Sequence, residues 1–225
     1  MTDTNSSTFY DRDYFEGRTR ESPPHTRDRI YPLAARTATF LMRRWKPERL
    51  LDLGCAKGYL VEALREQGVR AAVGADISRY AVSQCDAAVR GKLVVADVAR
   101  GLPVREASCD MVTALDLFEH LRDPLPLLGE IRRVLAGHGV AYLKICHPRH
   151  PNATRDPSHV NVQPLRYWRR MFARAGFHAQ RLYETDLAGP TEGWEAVKAL
   201  LRRVREWAAV GTPADYKFIL RKRVC

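Results

Sequence analysis

Residues 50–60 read Leu-Leu-Asp-Leu-Gly-Cys-Ala-Lys-Gly-Tyr-Leu, and this stretch decides the fold. An apolar run ends in Asp52, turns through Gly54 and Gly58, and continues into a helical pattern of apolar residues. Glycine lets the backbone approach a ligand closely and adopt dihedral angles that a Cβ would forbid. The stretch therefore predicts a nucleotide-binding turn at the carboxyl end of a first β-strand.

Two common nucleotide fingerprints do not fit this turn. The dinucleotide pattern G-x-G-x-x-G, started at Gly54, would require glycines where the chain has Ala56 and Tyr59. The Walker A pattern fails because Lys57 precedes Gly58 and no Lys-Ser or Lys-Thr pair follows. The ligand of this turn is therefore neither a dinucleotide bound through its pyrophosphate nor a nucleoside triphosphate.

Length and composition set the broad class. A chain of 225 residues can form one α/β domain with a full core, with or without a small appendage. No apolar run reaches the roughly 18 residues of a membrane span, and the first residues lack the apolar core of a signal peptide. The five cysteines form no C-x-x-C pair, which favours reduced thiols in a cytoplasmic protein.

The formal net charge of +11 suggests an anionic partner. However, the basic residues are mostly arginines spread along the chain rather than gathered in one segment. A composition bias explains such a distribution as well as a binding surface does. We therefore do not expect a nucleic-acid partner on this ground.

Strand and helix patterns alternate along the chain. The predicted strands cover 49–53, 71–75, 92–96, 110–115, 140–146, 177–184 and 216–221. The predicted helices cover 27–45, 59–67, 78–89, 125–135 and 164–175. This order predicts an α/β fold, a three-layer α-β-α sandwich around a mostly parallel sheet. Ligands of such sheets bind outside the carboxyl ends of the strands.

The connection before the last strand is unusually long. Residues 189–213 carry Trp194 and further apolar residues at helical spacing, which predicts a helical insertion. Packing of this helix on the domain would explain the pattern. A helix that caps a substrate site or makes a dimer contact would explain it equally.

Acidic residues follow four successive strands: Asp52, Asp76, Asp97 and Asp116. An acid after strand 2 can accept both hydroxyls of a ribose, and one after strand 3 can accept the exocyclic amine of adenine. Carboxylates do not suit a phosphate, which is bound by cations or backbone amides. The pattern therefore predicts a positively charged nucleoside as ligand.

With these motifs the chain resembles the class I S-adenosylmethionine-dependent methyltransferases. The resemblance rests on residues 51–58, 74–78 and 96–98, on Phe-Glu-His-Leu-Arg-Asp-Pro at 118–124, and on 130–135. It implies a Rossmann-like, seven-stranded sheet of order 3-2-1-4-5-7-6 with strand 7 antiparallel. The family often has glycine where Ala56 stands. It also implies S-adenosylmethionine as cofactor, with S-adenosylhomocysteine as product.

The resemblance implies a role for each residue of the turn. Gly54 and Gly58 would let the loop pass the methionine part of the cofactor. Asp52 would orient this loop and the cofactor's ammonium group, and Asp76 would hold the ribose hydroxyls. The aromatic residues within the polar segment 1–25 and the helical pattern of 27–45 predict that residues 1–45 form an arm and helix over the cofactor site, and the resemblance makes 46–225 the methyltransferase domain.

Further residues complete the implied cofactor site. Ile77 would stack on adenine, Asp97 would bind the adenine amine beside the Val98 amide, and Leu115 would offer its carbonyl to the ammonium. The remaining residues expected near the cofactor are Tyr14, Cys55, Ala56, Asp116 and His120. His120 more simply shapes the pocket than moves a proton.

Methyl transfer is an in-line displacement at a sulfonium, so the protein must align a nucleophile and exclude water. A general base helps when the acceptor is a hydroxyl or a protonated amine. His159 and Asp116 are the candidate catalytic residues, although His159 could instead cap its loop. The expected substrate-binding residues are His147, His150, His159 and Trp194.

A metal site is the alternative use of the loop after strand 5. His147, His150, Asp156 and His159 carry suitable ligand atoms, but their spacing matches no dedicated motif. We therefore expect no metal.

Together these features predict methylation of an O or N atom, less readily a C atom, of a small molecule, as in natural-product biosynthesis. The expected partner is the small-molecule acceptor, without membrane or nucleic acid, and the protein would be a monomer or homodimer. An RNA or protein methyltransferase is the alternative. The Asn-Pro-Pro-Tyr type segment of enzymes that methylate base or amide nitrogens is replaced by Ala-Leu-Asp-Leu at 114–117. A non-catalytic binding module is a further alternative, which the intact acids disfavour.

Overall fold

The computed structural model describes residues 7–19, 23–183 and 215–223. The predicted insertion at 189–213, with Trp194, lies outside the described residues. The strands are β1 (Arg49–Leu53), β2 (Ala71–Asp76), β3 (Leu93–Val95), β4 (Cys109–Leu115), β5 (Leu135–Ile145), β6 (Phe177–Leu182) and β7 (Tyr216–Lys222). The α-helices are α1 (Arg12–Phe15), α2 (Arg27–Arg44), α3 (Tyr59–Glu66), α4 (Arg79–Ser83), α5 (Leu125–Val134) and α6 (Leu165–Arg174).

The seven strands form one sheet of order β3-β2-β1-β4-β5-β7-β6. Strands β3, β2, β1, β4 and β5 pair in parallel, and β7 is antiparallel to both β5 and β6. The predicted order and the antiparallel seventh strand are confirmed. The carboxyl ends of the parallel strands consequently meet at one edge of the sheet, where the acids of the sequence motifs lie.

Helices cover both faces of the sheet because consecutive strand residues point to opposite sides. In β1, Leu51 and Leu53 belong to the cluster that α5 and α6 bury, whose members include Ile131, Trp168 and Phe172. Leu50 belongs to the opposite cluster, which α2 and α3 bury with Leu41, Leu64 and Tyr142. These two clusters form the core and fix the strand ends relative to each other.

Two connections differ from the sequence prediction. The helix predicted over 78–89 is broken: α4 ends at Ser83, and a separate 3₁₀ turn covers Ala87–Val89. Asp86 is extended, with φ of −63° and ψ of 154°, and its side chain accepts the Ala88 amide. Aspartate competes in this way with the helical backbone and starts a new turn.

The strand predicted from Val140 begins five positions earlier, at Leu135, directly after α5. The register with β4 shifts, because Cys109 pairs with Leu135 whereas Met111 pairs with Val140. Gly-His-Gly at 137–139 lies in this irregularity instead of forming a turn outside the strand. A Cβ at Gly139 would lie 3.0 Å from the Cys109 carbonyl oxygen, so the close approach requires glycine.

Within the described ranges, no helix combines the length and the apolar character needed to cross a membrane.

Candidate functional site

A cavity of about 710 Å³ lies at the carboxyl ends of the parallel strands. Its wall includes the ends of β1, β2, β4 and β5, one side of α2, and the loop after β5. The N-terminal segment before α2 contributes Tyr10, Tyr14 and Phe15. The cavity therefore joins the motif residues of the first four strands to the loop in which sequence reasoning placed the substrate.

The turn after β1 adopts a left-handed backbone at three positions: Gly54 (φ +71°), Ala56 (φ +49°) and Gly58 (φ +79°). A Cβ at Gly58 would lie 2.6 Å from Leu93 Cδ1, so this position requires glycine for space as well as for conformation. Ala56 is not a glycine, so its left-handed backbone conformation is energetically unfavourable. Gly54, Cys55 and Ala56 line the cavity, whereas Gly58 shapes the turn from outside the lining.

Asp76, at the end of β2, holds this turn in place. Its Oδ2 accepts the Ala56 amide at 2.7 Å, and its Oδ1 accepts the Ser78 amide at 2.8 Å. Burial raises the pKa of Asp76, and the two amide hydrogen bonds oppose that rise. Each carboxylate oxygen retains a second lone pair. Asp76 lines the cavity, so these lone pairs can accept ligand hydroxyls.

Asp52 lies at the floor of the cavity and is 4% exposed. Its Oδ1 accepts a hydrogen bond from Thr113 Oγ1 at 2.6 Å. Burial raises the pKa of Asp52, and the hydrogen bond from Thr113 lowers it. Burial is the larger effect, and the resulting pKa is about 7. A cationic ligand in the cavity would favour the ionised carboxylate.

The adenine side of the predicted site lies along β2 and β3. Ile77, Asp97 and Val98 all line the cavity. Asp97 Oδ1 accepts the Ala99 amide at 3.0 Å, and Oδ2 pairs with Arg100 Nε at 3.0 Å. Asp97 thus fixes the backbone around Val98 while remaining about one-third exposed.

The end of β4 places Leu115 and Asp116 beside the cavity. Asp116 has a φ of +53°, and its amide donates to the Lys144 carbonyl at 2.9 Å. Lys144 Nζ donates to Asp116 Oδ2 at 2.7 Å and pairs with Asp215 Oδ2 at 3.2 Å. Burial alone would lower the pKa of Lys144, but the two carboxylates raise it above its ordinary value. Lys144 thereby anchors the strained turn that contains Asp116.

The N-terminal arm, residues 9–16, connects the cofactor turn to the loop after β5. Tyr10 OH lies 3.1 Å from His120 Nδ1, and the Tyr10 carbonyl accepts Ser78 Oγ. Tyr14 OH donates to Asp156 Oδ2 at 3.2 Å. Glu16 Oε1 accepts both Lys57 Nζ at 3.1 Å and Tyr80 OH at 2.8 Å.

His120 joins this network from the 3₁₀ turn Phe118–His120. Its Nδ1 lies 2.9 Å from Ser158 Oγ, and Ser158 Oγ donates to Asp156 Oδ1. Burial and the nearby His159 lower the pKa of His120 to about 4. His120 is therefore a neutral ring at physiological pH, packed between the arm and the loop.

His159 lines the cavity with a side chain that is 9% exposed. Its ring centroid lies 4.8 Å from that of His120, and its Nε2 lies 3.9 Å from Asp156 Oδ2. Its buried Nδ1 has no hydrogen-bond partner among the residues that the structure describes. Burial lowers the pKa of His159, whereas Asp156 raises it. A neutral imidazole next to a carboxylate can accept a proton and be stabilised as an imidazolium.

The other two histidines of this loop, His147 and His150, differ in their position relative to the cavity. His150 lines the cavity, and its Nδ1 accepts the Asn152 amide at 3.1 Å. His147 lies outside the lining, with its ring 4.6 Å from the Tyr216 centroid and its Nδ1 accepting the Arg149 amide. Trp194, the remaining predicted substrate residue, lies outside the described residues.

Cys146, His150 and Asp215 bring one metal-ligating atom each within 4.8 Å of one another. However, Asp215 pairs with Lys144, and His150 Nδ1 accepts an amide, which leaves the proton of its neutral ring on Nε2. Burial raises the pKa of the Cys146 thiol to about 12, which disfavours the thiolate that a metal requires. The absence of a metal stays a prediction.

Sequence reasoning missed Glu119, Lys144, Asp215 and Lys217 as cavity residues. Glu119 is fully buried, and its Oε1 accepts the Cys146 amide at 3.1 Å. Burial raises the pKa of Glu119 well above its ordinary value. The available signal for the lysines was a charged residue inside an otherwise apolar strand pattern, at 144 and at 217.

The sheet order and the acids at its strand ends define the class I methyltransferase fold. A family model described as a methyltransferase domain matches residues 25–182. This match covers more than half of the chain, and the chain belongs to the S-adenosylmethionine-dependent methyltransferases of class I. A comparison with curated proteins gives no match.

Solved structures show the same fold at low identity. An S-adenosylmethionine-dependent methyltransferase from Archaeoglobus fulgidus gives a TM-score of 0.65 at 21% identity, over 92% of this chain and 98% of that one. The complex between the Haloferax volcanii Trm112 methyltransferase activator and a methyltransferase gives 0.64 at 23%, over 87% and 92%. The plantazolicin methyltransferase BpumL, with a desmethyl analogue and S-adenosylhomocysteine, gives 0.59 at 14%, over 93% and 88%.

The cofactor of this family is S-adenosylmethionine, and the residues present fit it. Gly54, Cys55 and Ala56 bring the backbone of the turn to the cavity, and Gly58 is required for the turn because a Cβ there would clash with Leu93. Asp76 and Asp97 offer carboxylates to a nucleoside, and Asp52 and Asp116 line the end where positive charge would lie. When bound, the cofactor supplies an activated methyl group.

Proposed function

We propose that this protein transfers a methyl group from S-adenosylmethionine to an oxygen or nitrogen atom of a small molecule. The observation that carries the proposal is the cavity of about 710 Å³, which is continuous from Asp52 and Asp76 to His159. Its volume lies in the range of small-molecule pockets, roughly 300–1,000 Å³. A cofactor and a small acceptor can share such a volume, whereas a folded macromolecule would have to reach in from outside.

The turn and the strand ends hold the cofactor in this proposal. Asp76 accepts the ribose hydroxyls through its second lone pairs, and Asp97 and the Val98 amide take the adenine edge. The Leu115 carbonyl and the Asp52 carboxylate face the ammonium end. These contacts fix the methyl group for in-line attack, which is catalysis by positioning.

His159 accepts the proton of the acceptor. Its ring is neutral because burial lowers its pKa, and it faces the cavity. Asp156, 3.9 Å away, stabilises the imidazolium that forms. Tyr14 and Ser158 donate to the Asp156 carboxylate and hold it in place. Asp116, the second candidate, is paired with Lys144 and serves the cofactor end of the cavity instead.

In this proposal the N-terminal arm, residues 9–16, covers the part of the cavity in which the methyl group is transferred. Tyr10 and Tyr14 line the cavity and contact His120 and Asp156, which Ser158 joins to each other. A closed cover excludes water from the sulfonium and from the acceptor.

We further propose a role in natural-product biosynthesis and a location in the cytoplasm. BpumL, one structural neighbour, is named for its substrate plantazolicin, which supports a role in natural-product biosynthesis. Cys55, Cys85, Cys109 and Cys146 are free, which supports a reducing compartment such as the cytoplasm. We expect a monomer or homodimer.

Two measurements test the proposal in sequence. Calorimetry with S-adenosylmethionine tests the cofactor site, and Asp76→Ala should weaken that binding. Incubation with a panel of phenols, amines and carboxylic acids, followed by detection of products heavier by one methylene, tests the acceptor class. Methylation of RNA or protein but of no small molecule would contradict the proposal. Bound cofactor without any transfer would instead favour a binding module.

A further inference from the structure

His120 is held through only one of its two ring nitrogens. Nδ1 lies 2.9 Å from Ser158 Oγ, 3.2 Å from the Ser158 carbonyl oxygen and 3.1 Å from Tyr10 OH. Among the described residues, none forms a hydrogen bond with Nε2. His120 lines the cavity, so Nε2 is the ring nitrogen left for a ligand. The position of the ring proton decides whether that nitrogen donates or accepts.

The contacts with Ser158 assign the proton to Nδ1. The Ser158 carbonyl oxygen can only accept a hydrogen bond. The Ser158 hydroxyl has one hydrogen, which it donates to Asp156 Oδ1, so its oxygen acts as an acceptor towards the ring as well. Two acceptors facing Nδ1 require the hydrogen on that nitrogen, and the Tyr10 hydroxyl oxygen can share it. Since burial keeps the ring neutral by lowering its pKa, Nε2 carries a lone pair.

Asp156 fixes this arrangement. Its Oδ1 also accepts the Ser158 amide at 2.9 Å, and its Oδ2 accepts Tyr14 OH at 3.2 Å. Asp156 and Ser158 are both buried. A half-turn of the His120 ring would replace Nδ1 by a carbon and lose the hydrogen bonds to Ser158. The chain from Asp156 through Ser158 therefore keeps Nε2 of His120 as a fixed hydrogen-bond acceptor.

His159 lies beside this acceptor. The centroids of the His120 and His159 rings are 4.8 Å apart, and both residues line the cavity. Burial lowers the pKa of both rings, so two neutral imidazoles border the same part of the cavity. A hydroxyl group has one hydrogen and can serve one of these rings. A neutral amino group has two hydrogens and can serve both at once.

We propose that the methyl acceptor is a neutral primary amine, which donates one N–H to His120 Nε2 and gives up its other proton to His159. The nitrogen lone pair forms the bond to the methyl carbon, while the carbon–sulfur bond breaks and its electrons remain on sulfur. The methylated nitrogen, then positively charged, loses one proton to His159 and keeps its other hydrogen on His120 Nε2. This inference rests on the proposed function, because it names the substrate class of the same cavity.

The first test determines the tautomer of His120. Protein labelled with ¹⁵N-histidine is measured by long-range proton–nitrogen correlation NMR, and the His120 resonances are those missing from His120→Leu. We expect a protonated Nδ1 and an unprotonated Nε2, and Nε2 should remain without a hydrogen bond when S-adenosylhomocysteine saturates the protein. A protonated Nε2, or a hydrogen bond between Nε2 and S-adenosylhomocysteine alone, would overturn the inference.

The second test compares aniline and toluene, two probes of the same shape, on protein saturated with S-adenosylhomocysteine. Ligand-observed NMR measures the two affinities. Aniline should bind roughly three- to tenfold more tightly, which is the net contribution of a hydrogen bond, and it should shift the Nε2 resonance of His120. His120→Leu should remove most of this preference. His120→Gln, which keeps an acceptor oxygen, should retain part of it.

His178→Leu is the matched control, because it removes the same ring from the exposed side of β6. It should retain the preference for aniline. Circular dichroism melting identifies a variant that fails to fold, in which case the Gln variant and the wild-type ring shifts still decide.

Equal affinity of the wild type for aniline and toluene, or an unchanged preference in His120→Leu, would contradict the assignment. Methylation of phenols but of no primary amine in the acceptor panel would also contradict it, while the proposed function would stand. Failure of the proposed function has a different signature: S-adenosylhomocysteine would not bind, or no small molecule would be methylated.

Discussion

Thr113 Oγ1 donates a 2.6 Å hydrogen bond to the Asp52 carboxylate, across register partners of the paired strands β1 and β4. It is the side-chain hydrogen bond that holds a carboxylate whose pKa burial raises to about 7. The carboxylate that we propose to face the positive end of the cofactor therefore changes its charge close to physiological pH in the ligand-free protein. Because the pKa of Asp52 is raised, the stability of the protein should depend on pH.

Asp52→Asn should change how the stability of the ligand-free protein depends on pH. Burial raises the folded-state pKa above the unfolded value of about 3.9, so the folded state binds more protons between pH ~4 and ~7. Stability should thus fall as pH rises through this window. At pH 8 the Asn variant should be more stable than the wild type, by roughly 1–4 kcal/mol.

Urea unfolding at pH 4 and pH 8 measures this difference, and calorimetry measures cofactor affinity at the same pH values. Wild-type affinity should rise with pH until Asp52 is ionised, whereas that of the variant should stay flat. Parallel pH profiles in the two proteins would contradict the role given to Asp52.

Asp76→Ala should weaken both the fold and the cofactor site. The variant leaves the amides of Ala56 and Ser78 without their acceptor, at a cost of about 1–3 kcal/mol. Asp76→Asn keeps one acceptor oxygen and should be less affected. Thermal melting with and without S-adenosylmethionine separates the two effects. Full stabilisation of Asp76→Ala by the cofactor would be evidence against ribose binding at this residue.

His159→Gln should reduce turnover by about 10²–10⁴-fold, because it removes the proposed base without changing the cofactor turn. Cofactor affinity should remain at the wild-type value. His178→Gln, on the exposed side of β6, is the control. An unchanged rate and pH profile in His159→Gln would leave His159 with a structural role in its loop.

Removal of residues 1–20 should weaken cofactor binding by at least about tenfold and leave the sheet folded. The truncation deletes the Tyr10 contact to His120, the Tyr14 contact to Asp156 and the Glu16 pair with Lys57. Of these contacts, the hydrogen bond from Tyr14 to the Asp156 carboxylate is buried and charge-assisted, and such a bond contributes about 1.5–3 kcal/mol. Calorimetry on the truncated protein measures the loss. Wild-type affinity after truncation would show that the arm is dispensable.

Excess chelator should leave methyl transfer unchanged, because the Cys146–His150–Asp215 group has protein partners for two of its three members. The assay is run on protein dialysed against the chelator, with added zinc and magnesium as separate arms. Loss of activity that one of these ions restores would assign a metal to this group.

The strands, and the position of Asp52, Asp76 and Asp97 at one cavity, could be predicted from the sequence because their determinants are local. Asp52, Asp76 and Asp97 each end an apolar strand, and parallel strands bring such ends together by topology alone. The sheet order was implied by the resemblance to the class I methyltransferases, and it is the observed one.

The side of the cavity formed by β5, β7 and the N-terminal arm could not be predicted in this way, because its members are far apart in the chain. Lys144 meets Lys217 only through the antiparallel register of β7, which no local pattern specifies. Asp156 and Ser158 meet Tyr14 and His120 through the arm, whose path depends on tertiary contacts. The helix predicted at 78–89 is broken because the Asp86 side chain accepts a hydrogen bond from the Ala88 amide instead of facing solvent.

The left-handed Ala56, fixed by its amide bond to Asp76, has a consequence for the end of the catalytic cycle. The turn is held by hydrogen bonds without any ligand, and in the proposed function it contacts the adenosine and amino-acid parts that substrate and product cofactor share. Such uniform binding gives no preference for the methylated form. The ammonium group that Asp52 is proposed to face is also common to both forms, so we expect S-adenosylhomocysteine to be a strong product inhibitor whose removal limits the steady-state rate.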